Sequence, residues 1–287
     1  MPPDLAGRVC VVTGASDGIG KATAWALAAR GARVVLACRS EARGRAAMHA
    51  LAASVPGASL DLRIVDFSVP SSIRDFARGL AADYPALHVL VNNAGLWSNA
   101  RVLTGDGIEL TWATNALGYF LTTGLLLDRL QAGAPARIVT VASELAGGLD
   151  VTDLSFARRP YDGVTAYSQS KQANRMLTWA LARRLQGRGV TANALHPGGV
   201  RTGIFRKGGG LRGFLAAAAT RVVGRTVEQG ADTVVWLAAS PEASGRSGGF
   251  FVDRRERPCR FRDEAAEERL WSACEAATGF RYVLSAR

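Results

Sequence analysis

Arg8-Val-Cys-Val-Val-Thr13-Gly14-Ala-Ser16-Asp17-Gly18-Ile19-Gly20-Lys21 decides the fold. A β-branched run ends at Gly14, a glycine turn follows, and the alanine-rich stretch Lys21 to Arg30 has high helix propensity. A second apolar run, Arg33 to Cys38, completes a βαβ unit. Gly14, Gly18 and Gly20 are spaced G-x-x-x-G-x-G at the strand-to-helix turn. Missing side chains there let the backbone approach a pyrophosphate, and the helix N-terminus supplies amide donors. An ordinary tight turn needs one glycine; three inside a βαβ frame point to a dinucleotide. The second strand ends Ala37-Cys38-Arg39-Ser40. An acid at that place reads a ribose 2′-hydroxyl, whereas an arginine accommodates a 2′-phosphate, so Arg39 points to NADP(H) rather than NAD(H).

The alternation continues outward from that unit. Strands are expected at Leu60 to Phe67, Leu87 to Asn92, Arg137 to Ser143, Val190 to Leu195 and Gly249 to Val252. Between them the pattern predicts helices over Glu41 to Ser54, Ser71 to Asp83 with a serine cap, Gly107 to Leu130 as one long helix, Gly163 to Gln186 and Thr226 to Ala239. Strands alternating with helices imply an α/β fold, a doubly wound parallel Rossmann-type sheet of about seven strands in a single domain. Residues 1–252 make the dinucleotide-binding and catalytic domain. Residues 253–287, with a helix near Glu264 to Ala277, form an extension expected to pack on it. Residues 199–225 mix glycines, arginines and apolar side chains and read as a lid-like insertion over the sheet's carboxyl edge, where such folds keep their ligands.

Bulk properties exclude several classes. With 287 residues, 48% of them hydrophobic and 21% charged, the chain can bury a full core. No apolar stretch approaches the ~20 residues a bilayer requires, and Met1-Pro2-Pro3-Asp4 has no basic start, so the expectation is a cytoplasmic protein with no membrane anchor. The net charge of +11 comes from scattered arginines without a run of five, so nucleic acid is not expected as a partner. Cys10, Cys38, Cys259 and Cys274 fall at no metal spacing, and no metal is expected.

Tyr167-Ser-Gln-Ser-Lys171 carries the chemistry. On a helix, residues four apart lie one turn from each other, and a nearby ammonium lowers a phenol's affinity for its proton. Such a tyrosine becomes a usable acid or base. Tyr167, Ser170, Lys171 and Asn174 are expected to form a polar stripe, with Ala173, Leu177, Ala180, Leu181 and Leu185 facing the sheet. Ser143 lacks the G-x-S-x-G elbow of a hydrolase nucleophile, and His196 beside Pro197 reads as structural.

Thr13-Gly14-x-x-x-Gly18-x-Gly20, Asp66, Asn92-Asn93-Ala94-Gly95, Asn115, Ser143, Tyr167-x-x-x-Lys171 and Pro197-Gly198-x-x-x-Thr202 stand in one order, and together they resemble the short-chain dehydrogenase/reductase family from Arg8 to about Val252. Ala37-Cys38-Arg39-Ser40, Asn115-Ala-Leu-Gly118-Tyr-Phe120, Tyr167-Ser-Gln-Ser-Lys171-Gln-Ala-Asn174 and His196-Pro197-Gly198 are similar to its retinol dehydrogenase-like branch, which usually prefers NADP(H). The resemblance implies that Tyr167 exchanges a proton with the substrate oxygen. It further implies that Lys171 bonds the nicotinamide ribose and lowers the tyrosine's pKa, that Ser143 orients the carbonyl and that Asn115 holds a relay water. The cofactor would run along Gly14, Ser16, Asp17, Gly18, Ile19, Gly20, Arg39, Ser40, Asp66, Phe67, Asn93, Ala94 and Gly95 to Pro197, Gly198, Val200 and Thr202. Carbon–carbon double-bond reduction on the same scaffold, or a non-catalytic NADP(H)-binding regulator, stays open.

Trp97, Phe205 and Phe214 stand in loops at the same edge and are expected to line a pocket for a bulky hydrophobic small molecule. A homodimer is the expected assembly, through the helices Gly107 to Leu130 and Gly163 to Gln186, with Arg175, Arg183 and Arg184 pointing outward.

Overall fold

The computed structural model describes residues 4–199 and 224–283. Its centre is an eight-stranded sheet: β1 (Val9–Thr13), β2 (Arg33–Cys38), β3 (Leu60–Ile64), β4 (Val89–Asn92), β5 (Ala136–Val141), β6 (Val190–Leu195), β7 (Phe250–Val252) and β8 (Arg255–Glu256). The strands run in the order β3-β2-β1-β4-β5-β6-β7-β8. The first seven are parallel to their neighbours, whereas β8 turns back antiparallel on β7, with Phe251 opposite Glu256. The sheet thus exceeds the expected seven strands by a two-residue hairpin partner. Asp253 and Arg254 make that turn at positive φ, a conformation the residue pattern does not signal.

Strands buried on both faces must be apolar at nearly every position, and β1, β2 and β4 are. Alternate residues serve opposite layers. Val11, Val35, Leu90 and Ile138 join the core beneath α3 (Pro70–Asp83), α5 (Gly118–Leu125) and α7 (Gly163–Arg184). Cys10, Val12, Leu36, Val91 and Val139 face the other way, toward α1 (Gly18–Ala28), α2 (Glu41–Ser54) and α8 (Val227–Ala239). No helix among the described residues is long and apolar enough to cross a membrane.

Several local expectations are corrected. The single helix over 107–130 is instead α4 (Leu110–Trp112), a π-helical stretch Ala113–Leu117, α5 and α6 (Leu127–Ala132). Its start is set by Glu109, whose buried carboxylate caps the amides of Thr111 and Trp112. Serine does not cap α3: the cap position is Val69 and Pro70 starts the helix, while Ser72 accepts from the Asp66 amide. β3 ends at Ile64, since Phe67 turns into the core against Phe76 with centroids 6.1 Å apart.

Helix α7 is not two-faced either. Every residue from Ala173 to Leu181 is buried, because α9 (Glu264–Thr278) of the C-terminal extension lies along the side away from the sheet. Leu270, Trp271 and Cys274 of α9 are buried, and the rings of Phe120, Trp271 and Tyr282 pack together at 4.6–4.9 Å. The arginines expected to point outward are engaged inside the chain. Arg183 pairs with Glu267, Arg184 with Glu268, and Arg175 is buried.

Candidate active site

Thr13 ends β1 and knots two loops together. Its hydroxyl accepts from the amides of Asn93 (2.8 Å) and Ala94 (2.9 Å) and donates to the Val91 carbonyl (3.1 Å). The Asn93 side chain returns the contact, donating to Thr13 O at 2.8 Å. The glycine turn is consequently pressed against the β4 loop. A Cβ on Gly14 would lie 2.9 Å from Ala94 Cα, and one on Gly20 would lie 2.4 Å from the Gly14 carbonyl oxygen. Such contact leaves no room for a side chain at Gly14 or Gly20, and bare backbone there is what a pyrophosphate requires. Asp17 caps α1 through the Gly18 amide at 2.8 Å.

Arg39 and Ser40 are exposed where β2 ends. Ser40 caps α2 through the Arg43 amide, and the Arg43 guanidinium meets Asp17 at 2.9 Å. Arg43 was not singled out from sequence, yet its place in the first turn after a capping serine aims it back at the glycine turn. Asp66 accepts from the Ser68 amide and hydroxyl, shaping the turn after β3. Phe67 presents its ring to the core. Ser16 contacts Cys38, Ile19 packs against the α1-side core, and Gly95 lies open beside Asn115.

The Tyr167 phenol is buried near the Ser143 side chain and stacked on Trp97 with centroids 5.5 Å apart and 22° between planes. Trp97 thus meets the reacting ring itself. Lys171, 3% exposed, donates from Nζ to Val141 O at 2.9 Å and sits 5.6 Å from the ring centroids of both Tyr167 and Tyr119. Burial pushes the Tyr167 phenol up to about 12, opposed by the Ser143 side chain, and pushes Lys171 down to about 7. Against the expected depression of the phenol by Lys171, burial sets the direction of both shifts. Desolvation of both groups outweighs their mutual effect, and the ammonium hydrogens reach the Val141 carbonyl. Tyr119 is a further buried phenol, its pKa raised well above 10 by burial, and its hydroxyl has no hydrogen-bond partner among the described residues.

Asn115 lies in the π-helical stretch, where the widened turn carries its side chain to the β4 loop. Its Oδ1 accepts from Leu96 N (2.9 Å), and its Nδ2 donates to Leu96 O (2.9 Å) and Ser170 Oγ (3.2 Å). On the other side of Tyr167, His196 stitches the loops after β5 and β6. Its Nδ1 accepts from the amides of Glu144 (3.1 Å) and Gly198 (3.3 Å), while Nε2 faces the Glu144 carboxylate at 3.3 Å. Burial lowers the His196 pKa, and the charges of Arg175 and Arg225 act the same way against Glu144 and Asp253. Pro197 and Gly198 are half-buried beside it; Val200, Thr202, Phe205 and Phe214 lie outside the described residues. No cluster of metal-ligand side chains occurs among the described residues.

The family model for short chain dehydrogenases matches residues 8–209. The chain is 40% identical over 279 residues to retinol dehydrogenase 12 of Mus musculus, covering 94% of this chain and 86% of that one. It is 37% identical over 284 residues to retinol dehydrogenase 13 of Homo sapiens, covering 96% and 86%. Among solved structures it is similar to an uncharacterized protein from Mycobacterium paratuberculosis, with TM-score 0.76 and 32% identity over 97% of this chain and 96% of that one. It is also similar to a short chain dehydrogenase from Burkholderia cenocepacia in complex with NADP, with TM-score 0.68 and 29% identity over 86% and 96%. This chain belongs to the short-chain dehydrogenase/reductase family, in its retinol dehydrogenase-like branch.

Proposed function

We propose that the chain interconverts a hydroxyl and a carbonyl on a bulky apolar substrate with NADP(H), using Tyr167 as general acid and base. The observation that carries this reading is the buried Tyr167 phenol near the Ser143 side chain, with Lys171 one helical turn away. A hydride acceptor or donor is what the nicotinamide supplies when bound. The residues present suit that cofactor: Gly14 and Gly20 keep the backbone bare at their positions in the turn, and Arg39 and Arg43 offer cations where an adenosine 2′-phosphate would lie. The NADP complex of a 29% identical neighbour supports the same choice.

In the reducing direction the Tyr167 hydroxyl gives its proton to the developing alkoxide, and the Ser143 hydroxyl donates a hydrogen bond to the same oxygen. A phenol raised to about 12 still protonates an alkoxide but is a poor base at neutral pH, which suits carbonyl reduction. Lys171, held near 7 by burial, is ammonium below that pH, and its charge then favours the tyrosinate that remains. Since the Asn115 side chain is engaged by Leu96 and Ser170, a relay water would bond its main-chain carbonyl in the π-helical turn.

Apolar substrates are supported by the rim of the site. Val102, Leu103 and Leu145 are 42–46% exposed in the loops after β4 and β5, the loops that carry Trp97 and Ser143. The named substrate of the relatives, retinol, is of that apolar kind. Tyr167→Phe keeps the ring on Trp97 and removes only the proton carrier. Turnover should fall by about 10²–10⁴ while NADPH affinity stays put. Full turnover in that variant, measured by NADPH absorbance on a panel of apolar aldehydes and ketones, would sink the mechanism. Calorimetry with NADPH and NADH should favour the former in wild type and reverse in Arg39→Asp.

A further inference from the structure

Arg175 is the anomaly left over. It lies one turn beyond Lys171 on α7 and is 7% exposed, yet it forms no ion pair with a carboxylate among the described residues. Its Nη2 donates to the main-chain oxygen of Ser143, its Nη1 reaches Cys259 Sγ at 3.3 Å, and its Nε has no partner among the described residues. The guanidinium carbon stands 3.9 Å from the Phe250 ring centroid and 5.6 Å from that of Phe261. A guanidinium cannot shed its proton inside a protein, so the charge persists in an apolar setting that does not neutralise it. Burying it this way is costly. Its strongest acceptor belongs to the residue whose side chain lies near Tyr167.

We propose that Arg175 is a positioning residue that fixes the Ser143 peptide from behind and thereby aims the Ser143 hydroxyl at the reacting oxygen. The surrounding loop is held residue by residue. Ala142 N bonds Leu195 O, Glu144 N bonds His196 Nδ1, and Leu145 N bonds Ser143 Oγ. Arg175 supplies the remaining restraint, on the Ser143 carbonyl, and a charged donor makes that bond stronger than a neutral one. Phe250 on β7 and Cys259 with Phe261 in the extension hold the guanidinium in turn. Residues 259–261 are thus tied to the geometry of Ser143 through one side chain. This inference rests on the Tyr167–Ser143 chemistry proposed above.

The test compares Arg175→Met, which keeps length and packing, with Arg175→Lys, which keeps the charge and one donor. Ser143→Ala and the double variant Ser143→Ala/Arg175→Met accompany them. Turnover is followed with retinol and NADP as probe, or with whichever apolar carbonyl of the panel wild type turns over fastest. Arg175→Met should lower kcat by about 10²-fold, the scale of a small misplacement of a reacting group, with KM and NADPH affinity nearly unchanged. Arg175→Lys should recover part of the loss. The double variant should be no slower than Ser143→Ala, because the arginine acts only through that serine. An unchanged kcat in Arg175→Met, or fully multiplicative losses in the double variant, overturns the proposal. If Arg175→Met does not fold, the kcat of Arg175→Lys decides, and parallel losses of kcat and melting temperature in it count against a positioning role. Should Ser143→Ala itself be silent, the chemistry of the preceding section fails instead.

Discussion

The two ends of the site are held by different kinds of force. At the glycine turn, Thr13, Asn93 and Ala94 are joined by neutral hydrogen bonds of 2.8–2.9 Å, and the one ion pair there, Asp17–Arg43, sits on the exposed rim. Around Ser143 and Gly198 the restraints come from groups that carry or can gain charge. Arg175 holds Ser143 O, His196 joins Glu144 to Gly198, and Arg225 packs on Gly198 while pairing with Asp253. A cofactor floor built from neutral bonds is indifferent to pH, whereas a substrate end that includes a titratable histidine responds to it.

The largest effect should come from breaking the neutral end. Thr13→Val removes a hydroxyl that satisfies two loop amides, and each orphaned amide costs about 1–3 kcal/mol. Denaturant unfolding should show that loss at every pH from about 6 to about 8, the range in which a histidine titrates. A small or pH-dependent loss would mean that the Thr13 knot is not what joins the loops. Gly20→Ala comes next. Its methyl would stand 2.4 Å from the Gly14 carbonyl oxygen, so crowding costs about 1–3 kcal/mol, and NADPH affinity should fall alongside. Retained affinity would show that the turn has room to spare.

His196 sharpens the contrast at the charged end. Its folded pKa lies below the ordinary 6.5 because it is buried and receives two amides as a neutral ring. The unfolded chain therefore takes up a proton that the folded chain resists. The stabilisation is present above about 6.5 and is lost as pH falls through that value toward the lower folded pKa. His196→Gln can still accept an amide hydrogen but cannot titrate, so its melting temperature and kcat should decline less on acidification than in wild type. Parallel profiles would remove histidine from the account. The smallest effect is expected from Arg225→Ala, because exposed ion pairs contribute about 0–1 kcal/mol; a larger loss of stability would show that this pair carries the Gly198 loop.

Much of this was legible along the chain. The β-branched runs and the Gly14-Gly18-Gly20 spacing announce the βαβ unit because period and turn chemistry are local properties. The Tyr167-to-Lys171 spacing places both side chains on one face of α7 for the same reason. What escaped was set by neighbours distant in sequence. The 107–130 segment breaks because Asn115 must reach Leu96 and because Glu109 caps the chain at Leu110. No propensity encodes either demand. Phe67, expected at the end of β3, turns inward because Phe76 on α3 offers it an aromatic edge.

The sequence by itself determined the order of strands and helices, the glycine turn and the identity of the polar residues, since each depends on residues within one turn or one strand of each other. Only the tertiary structure decided their electrostatics and partners. Burial raises Tyr167 and lowers Lys171 because desolvation acts on a group through everything packed around it, here α5, β5 and the Trp97 loop. Arg175 reads as a surface charge on a long helix until α9 and residues 259–261 cover it. What a residue faces is fixed by contacts spanning 84 positions of the chain, and side-chain periodicity along one helix carries no information about them.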